Sequence, residues 1–403
     1  MKIIIVSDCG VPTGYGRISM EIGKRLVERG HTVQATSYCY DGLLAPQHDG
    51  ETLPYHVSVL QGKPDQVGAI ANIINVMQPD IVLSIQDFPY HVQLFHDPRV
   101  DWTKFGRVLI TPVDGTPIEP TWLELLGHVD AAMTISQFGV DAFAEAGHQV
   151  RLCRPGVNLN KFFKQPEQTC LENRSKLGLG ADNFILGTMA QNQGRKAITK
   201  MIEGFFEFAK DKPDARYLLD MDEASPAGWN LPNIIQQQGW DKSKIIFRSD
   251  CIRAGLVEMN DRYNLLDAHV VLAHREGYGL PLVEAMACGV VSIAMDYCSG
   301  PEIVGKGRGV LVACTDYKVI GTWGGAEDRF PDMSNFIGQL NSFYSTPSLQ
   351  KVIAAKGMEW ARQQTWDNSA DAVIATLDKV QAKRLAWAEN KPEITIEPGA
   401  VLP

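Results

Sequence analysis

The chain has 403 residues, 45% hydrophobic and 21% charged, the proportions of a globular protein with apolar material for two cores. Its 47 acidic residues outnumber 38 basic ones, for a formal net charge of −9, which argues against an affinity built on wrapping nucleic acid unless a groove is locally basic. The opening run to Ser7-Asp8 is too short for a secretion signal or a membrane span, and eight scattered cysteines without a Cys-x-x-Cys pair fit free thiols, so a cytoplasmic location is expected. In chain order, residues 2–6 form the first expected strand. A Gly-rich turn over 10–16 follows, and Ile18, Ile22, Leu26 and Val27 then recur at helical spacing up to Gly30, a helix stop. Residues 32–37, 79–85, 107–111 and 130–135 read as further buried strands with helical stretches between them. The periodicity stops at 154–158, and the polar stretch to about 182, punctuated by Pro and Gly, reads as a linker. The rhythm restarts with strands over 184–187, 216–220, 244–248, 270–273 and 290–294 and helices over 198–210, 256–266 and 282–288. A last helix runs from 366 to about 387, and the tail after Glu389 reads as loose. Buried strands alternating with helices predict open α/β sheets, here in two halves.

The densest chemistry lies over 273–304. A strand runs into a turn holding Glu276, Gly277 and Gly279, and a helix starts at about Pro281, where the missing N–H costs nothing. Such a turn leaves backbone N–H groups and the positive helix end facing outward, a seat for an anion. Glu276 stands in the loop beside that seat. Glu284, a turn inside the helix, has a carboxylate suited to two neighbouring hydroxyls, as on a ribose. The spacing also fits a plainer arrangement, with Glu276 as a dipole partner and Glu284 as a solvated surface residue.

Other candidates stay equally open on residues alone. Arg195 and Lys196 precede a helix, where cations are mildly unfavourable and want a reason, an anion or simple exposure. Gly14-x-Gly16-x-x-Ser19 partly imitates a dinucleotide fingerprint, yet no acidic residue ends the second strand at Thr36-Ser37, where a nicotinamide dinucleotide's ribose would want one. A loop bringing Gly14, Tyr15 and Gly16 to phosphates or to a second substrate fits better, beside a plain strand-to-helix turn. Asp114 follows a buried strand and so lies on the carboxyl edge where α/β sheets bind ligands, although Asp-Gly is also a turn former. Asp87 is a second carboxylate in such a position. His91 and His96 are bracketed by Pro89 and Pro98, against a zinc-type helical pair, and no metal site is expected. His31 reads as a structural turn residue.

Glu276-Gly-Tyr-Gly-Leu-Pro-Leu-Val-Glu284-Ala-Met-Ala-Cys-Gly289 resembles the Glu-x7-Glu signature of retaining glycosyltransferases of the GT-B fold, the family 4 (group 1) class. Residues 299–304 resemble that family's following turn, 10–33 its first βαβ unit, 155–162 its interdomain motif, 187–206 the start of its C-terminal domain and 365–367 the start of its final helix. The resemblance therefore runs through nearly the whole chain in the family's order. It implies two Rossmann-like doubly wound domains facing across a cleft: an acceptor domain over 1–155 joined by a returning helix at about 366–388, a nucleotide-sugar donor domain over 156–365, and a tail over 389–403.

By the same resemblance Glu276 lies near the donor sugar and Glu284 holds the ribose. Lys196 meets the diphosphate, and Gly277, Tyr278, Gly279 and Leu280, with Gly14, Tyr15 and Gly16, surround the donor. Two positions depart from the pattern. Ala190 stands where the family has an arginine, so Arg195 is expected to take over. Asp114 stands where many relatives have a histidine, and is expected to orient the donor sugar or receive the acceptor proton. The implied activity is metal-independent, anomer-retaining transfer from a UDP- or GDP-linked sugar to a hydroxyl of a glycan, lipid or modified DNA, with no cofactor beyond the donor substrate. Alternatives are a hydroxylated base in phage DNA as acceptor, with a basic groove around Arg151 and Arg154 or Lys161 and Lys164; a sugar-nucleotide epimerase; and a nucleotide-sugar-binding protein that has lost turnover.

Overall fold

The apolar strand runs assemble into two parallel sheets in the computed structural model, which describes residues 1–43, 45–48, 50–248, 256–321 and 324–389. The first sheet contains β1 (Lys2–Ser7), β2 (Thr32–Ser37), β5 (His56–Val59), β6 (Ile81–Ile85), β7 (Gly106–Thr111), β8 (Ala131–Thr134) and β9 (Arg151–Leu152), in the order β5-β2-β1-β6-β7-β8-β9. A small hairpin of β3 (Gln47–His48) and β4 (Glu51–Thr52) stands apart from it. The second sheet contains β10 (Ile185–Met189), β11 (Arg216–Asp220), β12 (Ile245–Arg248), β13 (Ala268–Val271), β14 (Val291–Met295) and β15 (Val310–Val312), in the order β12-β11-β10-β13-β14-β15. The doubly wound architecture expected from the sequence is present in both halves.

Each sheet reverses its winding next to its own first strand. β1 pairs with β2 on one side and β6 on the other, in register Lys2 to Thr32 and Ile3 to Ile81. β10 likewise sits between β11 and β13. Crevices at the carboxyl ends of strands flanking such a reversal are where open α/β sheets bind ligands. Asp8 and Asp87 follow β1 and β6; Ala190 follows β10, and Glu276 lies five residues beyond β13.

The chain crosses between the two halves twice, near residues 156 and 365, and the two crossings touch. Val157 donates its N–H to the Gln364 carbonyl at 2.8 Å, and a Cβ at Gly156 would come 2.2 Å from the Trp366 nitrogen, so only glycine lets the crossing strands approach there. The helix Trp366–Glu389 then lies against the helix Gly14–Glu28. Trp366, Ala370, Val373, Leu377 and Val380 form its buried stripe at helical spacing. Arg25 to Asp367 at 3.0 Å and Arg29 to Asp371 at 2.7 Å flank the contact.

The structure differs from the sequence reading at the expected linker and after β15. The expected linker contains a helix, Glu167–Lys176, which has almost no apolar periodicity and docks through buried Arg174, whose guanidinium donates to the Leu265 carbonyl at 3.0 Å. An antiparallel hairpin, β16 (Cys314–Ile320) and β17 (Glu327–Pro331), follows β15; its side chains are mostly half-buried or exposed, so no apolar run announced it. The expected tail and Cys251 lie outside the described residues, apart from Glu389, which ends the last helix. The seven described cysteines are free, and among the described residues no helix is long and apolar enough to cross a membrane.

Two histidines are core residues. His91 is fully buried with Nδ1 2.9 Å from the Ser84 hydroxyl, and burial lowers its pKa to about 4. His269 is also fully buried, its Nε2 taking the Met189 N–H at 3.2 Å, and burial lowers it to about 3. Unfolded histidine titrates near 6.5, so between that pH and 4 the unfolded chain binds more protons and stability falls as the pH falls. Each histidine removes about 2 kcal/mol of stability between pH 7 and pH 5. Urea unfolding at the two pH values is therefore expected to show a loss smaller by about 2 kcal/mol in His91→Asn than in the parent chain.

Candidate functional site

The carboxyl ends of the two sheets face one another across a cavity of about 650 Å³, within the range of small-molecule sites. Asp8, Gly14, Tyr15, Arg17, Asp87 and Asp114 line it from the first half. Ala190, Arg195, Lys196, Arg275, Glu276, Gly277, Tyr278, Gly279 and Leu280 line it from the second. Gly279 caps the helix Leu280–Ala287 with φ of 96°, and Pro281 occupies the first turn. The left-handed backbone at Gly279, readily adopted by glycine, turns the chain so that the helix N-terminus opens at the cavity.

Two loops of the second half are clasped at its floor. His274 donates its N–H to the Arg195 carbonyl at 2.8 Å, and the Arg195 guanidinium donates to the Arg275 carbonyl at 3.0 Å. Between them the Lys196 ammonium pairs with the Glu276 carboxylate. Burial works against both charges, and it leaves Lys196 below the usual lysine range. For Glu276 the Lys196 and Arg195 cations outweigh burial and hold the carboxyl below its ordinary value. Arg195 and Lys196 thus set two cations against one carboxylate, and the floor carries surplus positive charge beside a helix N-terminus. A site of that kind attracts an anion.

Glu284 is 3% exposed, which rules out the solvated surface reading. The Tyr263 hydroxyl donates to its Oε2 at 2.8 Å, and the Arg17 guanidinium holds its Oε1. Arg17 lines the cavity and Glu284 does not, so Arg17 stands between the glutamate and the open space. This pair also bridges the two halves. Neither Arg17 nor Tyr263 was singled out by the sequence reading. The available signal at Arg17 was a cation in the first turn of the helix Gly14–Glu28, as unfavourable there as the pair at 195–196. Gly16 does not line the cavity either. A Cβ there would come 2.0 Å from the Val11 carbonyl oxygen, so this glycine serves the turn, with its N–H on the Thr13 hydroxyl at 3.0 Å.

The first half supplies carboxylates. The Tyr15 hydroxyl donates to Asp87, whose carboxyl is pushed up by burial. Asp114 lies 3.8 Å from the Arg275 guanidinium, which also pairs with Asp328 at 2.6 Å. Arg154 is paired with Glu302 at 2.5 Å, and Arg151 donates to the Thr376 hydroxyl at 3.1 Å; both are engaged within the fold. No group of metal-binding side chains occurs among the described residues.

Residues 254–321, which contain the Glu276 turn and Glu284, match the protein family described as Glycosyl transferases group 1. That segment is similar to a group 1 glycosyl transferase domain. Over 267 residues it is 30% identical to the D-inositol 3-phosphate glycosyltransferase of Streptosporangium roseum, covering 64% of this chain and 55% of that one. It spans about half the length of curated relatives it matches, 51% and 57% for two others of that name. Two solved structures share the architecture. Anabaena HepE, in complex with UDP and glucose, superposes with a TM-score of 0.74 at 18% identity over 94% of this chain and 100% of that one. Sucrose-phosphate synthase of Thermosynechococcus elongatus superposes with 0.73 at 17% identity over 97% and 100%. The fold of the chain is therefore GT-B.

The Lys196–Glu276 pair makes a stability prediction. Lys196→Ala leaves a partly buried carboxylate without its ammonium partner and is expected to destabilise the chain by about 1–3 kcal/mol, whereas the double variant Lys196→Ala/Glu276→Ala recovers most of the loss. Denaturant unfolding of both variants measures the difference.

Proposed function

We propose that the protein is a retaining glycosyltransferase that moves a sugar from a nucleoside diphosphate sugar to a hydroxyl acceptor, without a metal. The observation that carries this reading is the excess positive charge of Arg195 and Lys196 over Glu276 at a helix N-terminus, inside a cleft between two GT-B halves. The donor diphosphate lies on Arg195, Lys196 and that helix end. The Glu276 carboxylate orients Lys196 and receives sugar hydroxyls. Glu284 takes the ribose diol, for which Arg17 must move aside. Once displaced, Arg17 is a further cation for the diphosphate, in a cleft where Ala190 contributes none. Asp114 orients the donor sugar from the opposite half.

In the reaction the acceptor oxygen attacks the anomeric carbon on the face that the leaving group departs. The bond from that carbon to the phosphate oxygen breaks and its electron pair leaves with the diphosphate. The acceptor proton passes to a leaving phosphate oxygen, so the products are a glycoside of unchanged anomeric configuration and a nucleoside diphosphate. No protein nucleophile is required. Charge accumulates on the diphosphate in the transition state, where fixed cations stabilise it more than in the ground state. Closure of the two halves excludes water, the competing acceptor.

The complex of HepE with UDP and glucose makes UDP-glucose the first donor to test, followed by GDP-linked sugars. With the matching donor, Glu284→Ala is expected to weaken nucleotide binding at least tenfold by calorimetry. Lys196→Ala is expected to lower kcat by about 10²–10³ with a smaller change in KM. Parent-like kinetics in both variants would overturn the site assignment, and product formed from donor alone would point to an epimerase.

A further inference from the structure

The two walls of the cleft differ in sign. Arg195, Lys196 and Arg275, against the single carboxylate of Glu276, line it from the second half; from the first half come Asp8, Asp87 and Asp114, at the carboxyl ends of the adjacent strands β1, β6 and β7. The basic residue on that wall, Arg17, is bound to Glu284. Asp8 carries the argument. It is nine-tenths buried, it lines the cavity, and its Oδ1 has no hydrogen-bond partner among the described residues. A buried acceptor oxygen left unpaired is costly unless something donates to it; Gln86, Cys39 and the Tyr38 backbone stand near this carboxylate, whose pKa burial raises, and its open side is the cavity that Asp8 lines.

Resting on the glycosyltransferase reading above, we propose that this wall selects the acceptor by charge: an unphosphorylated sugar, neutral or bearing an ammonium group, whose O–H or N–H groups donate to Asp8 and Asp87. Carboxylates accept from hydroxyl and ammonium donors, whereas a phosphate presents acceptor oxygens and negative charge to the same atoms. Repulsion between like charges at a partly desolvated wall excludes the wrong substrate as effectively as contacts admit the right one. The acceptor class therefore differs from that named for the D-inositol 3-phosphate glycosyltransferases to which the chain is similar. Tyr15, whose hydroxyl is spent on Asp87, offers its ring beside the carboxylates, a surface suited to the apolar face of a pyranose.

The test uses the full chain with UDP present and titrates matched pairs: mannose and mannose 6-phosphate, glucosamine and glucosamine 6-phosphate, inositol and inositol 3-phosphate. Binding is followed by saturation-transfer NMR. The unphosphorylated member of at least one pair is expected to bind at least tenfold more tightly than its phosphate. Asp8→Asn, close to isosteric, is expected to shrink that ratio at least threefold; Asp87→Asn provides the same readout should the first variant fail to fold. Equal or tighter binding of the phosphorylated members, or binding of neither member of any pair, would overturn the proposal. UDP and GDP binding and its loss in Glu284→Ala, measured in parallel, report on the glycosyltransferase reading separately. Nucleotide binding without sugar selectivity sinks only the acceptor assignment.

Discussion

A partly buried lysine paired with a partly buried glutamate, with an arginine beside them, is the arrangement on which the cleft depends. Charges removed from water survive only if they are paired and hydrogen-bonded. The Lys196–Glu276 pair meets that demand, and the backbone clasps of Arg195 and His274 hold the two loops that carry it. Because Arg195 adds a second cation, the pairing leaves positive charge unspent. The loops meet because β10 and β13 are neighbours at the point where the sheet reverses its winding, so the topology creates the electrostatics.

The second bridge, Arg17 to Glu284, ties the two halves together and blocks the glutamate at once. Under the proposed function this contact is broken when the nucleoside binds, so its release and binding become the same event. Its energetic weight is modest on one side, since Arg17 is about one fifth exposed, and that suits a contact meant to be exchanged. Tyr263 holds the other carboxylate oxygen and keeps the Glu284 side chain oriented throughout.

The fold was legible in the sequence because parallel strands covered on both faces read as continuous apolar runs. Residues 32–37 and 216–220 were located to the residue, and the others were offset by one or two positions at their ends. The helix Glu167–Lys176 was not legible, since its single buried contact is a charged one, Arg174. The hairpin β16–β17 was missed for a related reason: its outward-facing strands carry polar and exposed residues. At the site, spacing placed Glu276 and Glu284 on one turn and helix but left open whether Glu284 faced water. Burial decided that question. The Arg17 contact joins positions far apart in the chain and in different halves, a relation that no local pattern encodes. Asp8 was overlooked although it follows β1 as Asp87 follows β6, a position that the same carboxyl-edge rule marks.

The central claim is that a nucleoside diphosphate occupies the positive floor and replaces Arg17 at Glu284. A crystal structure of the protein with UDP bound tests it most directly. The account predicts phosphate oxygens within hydrogen-bonding distance of Lys196 and Arg195, the ribose hydroxyls on Glu284, and the Arg17 guanidinium moved off that carboxylate. Nucleotide bound elsewhere, or bound in the cleft with the Arg17–Glu284 pair intact, would contradict it.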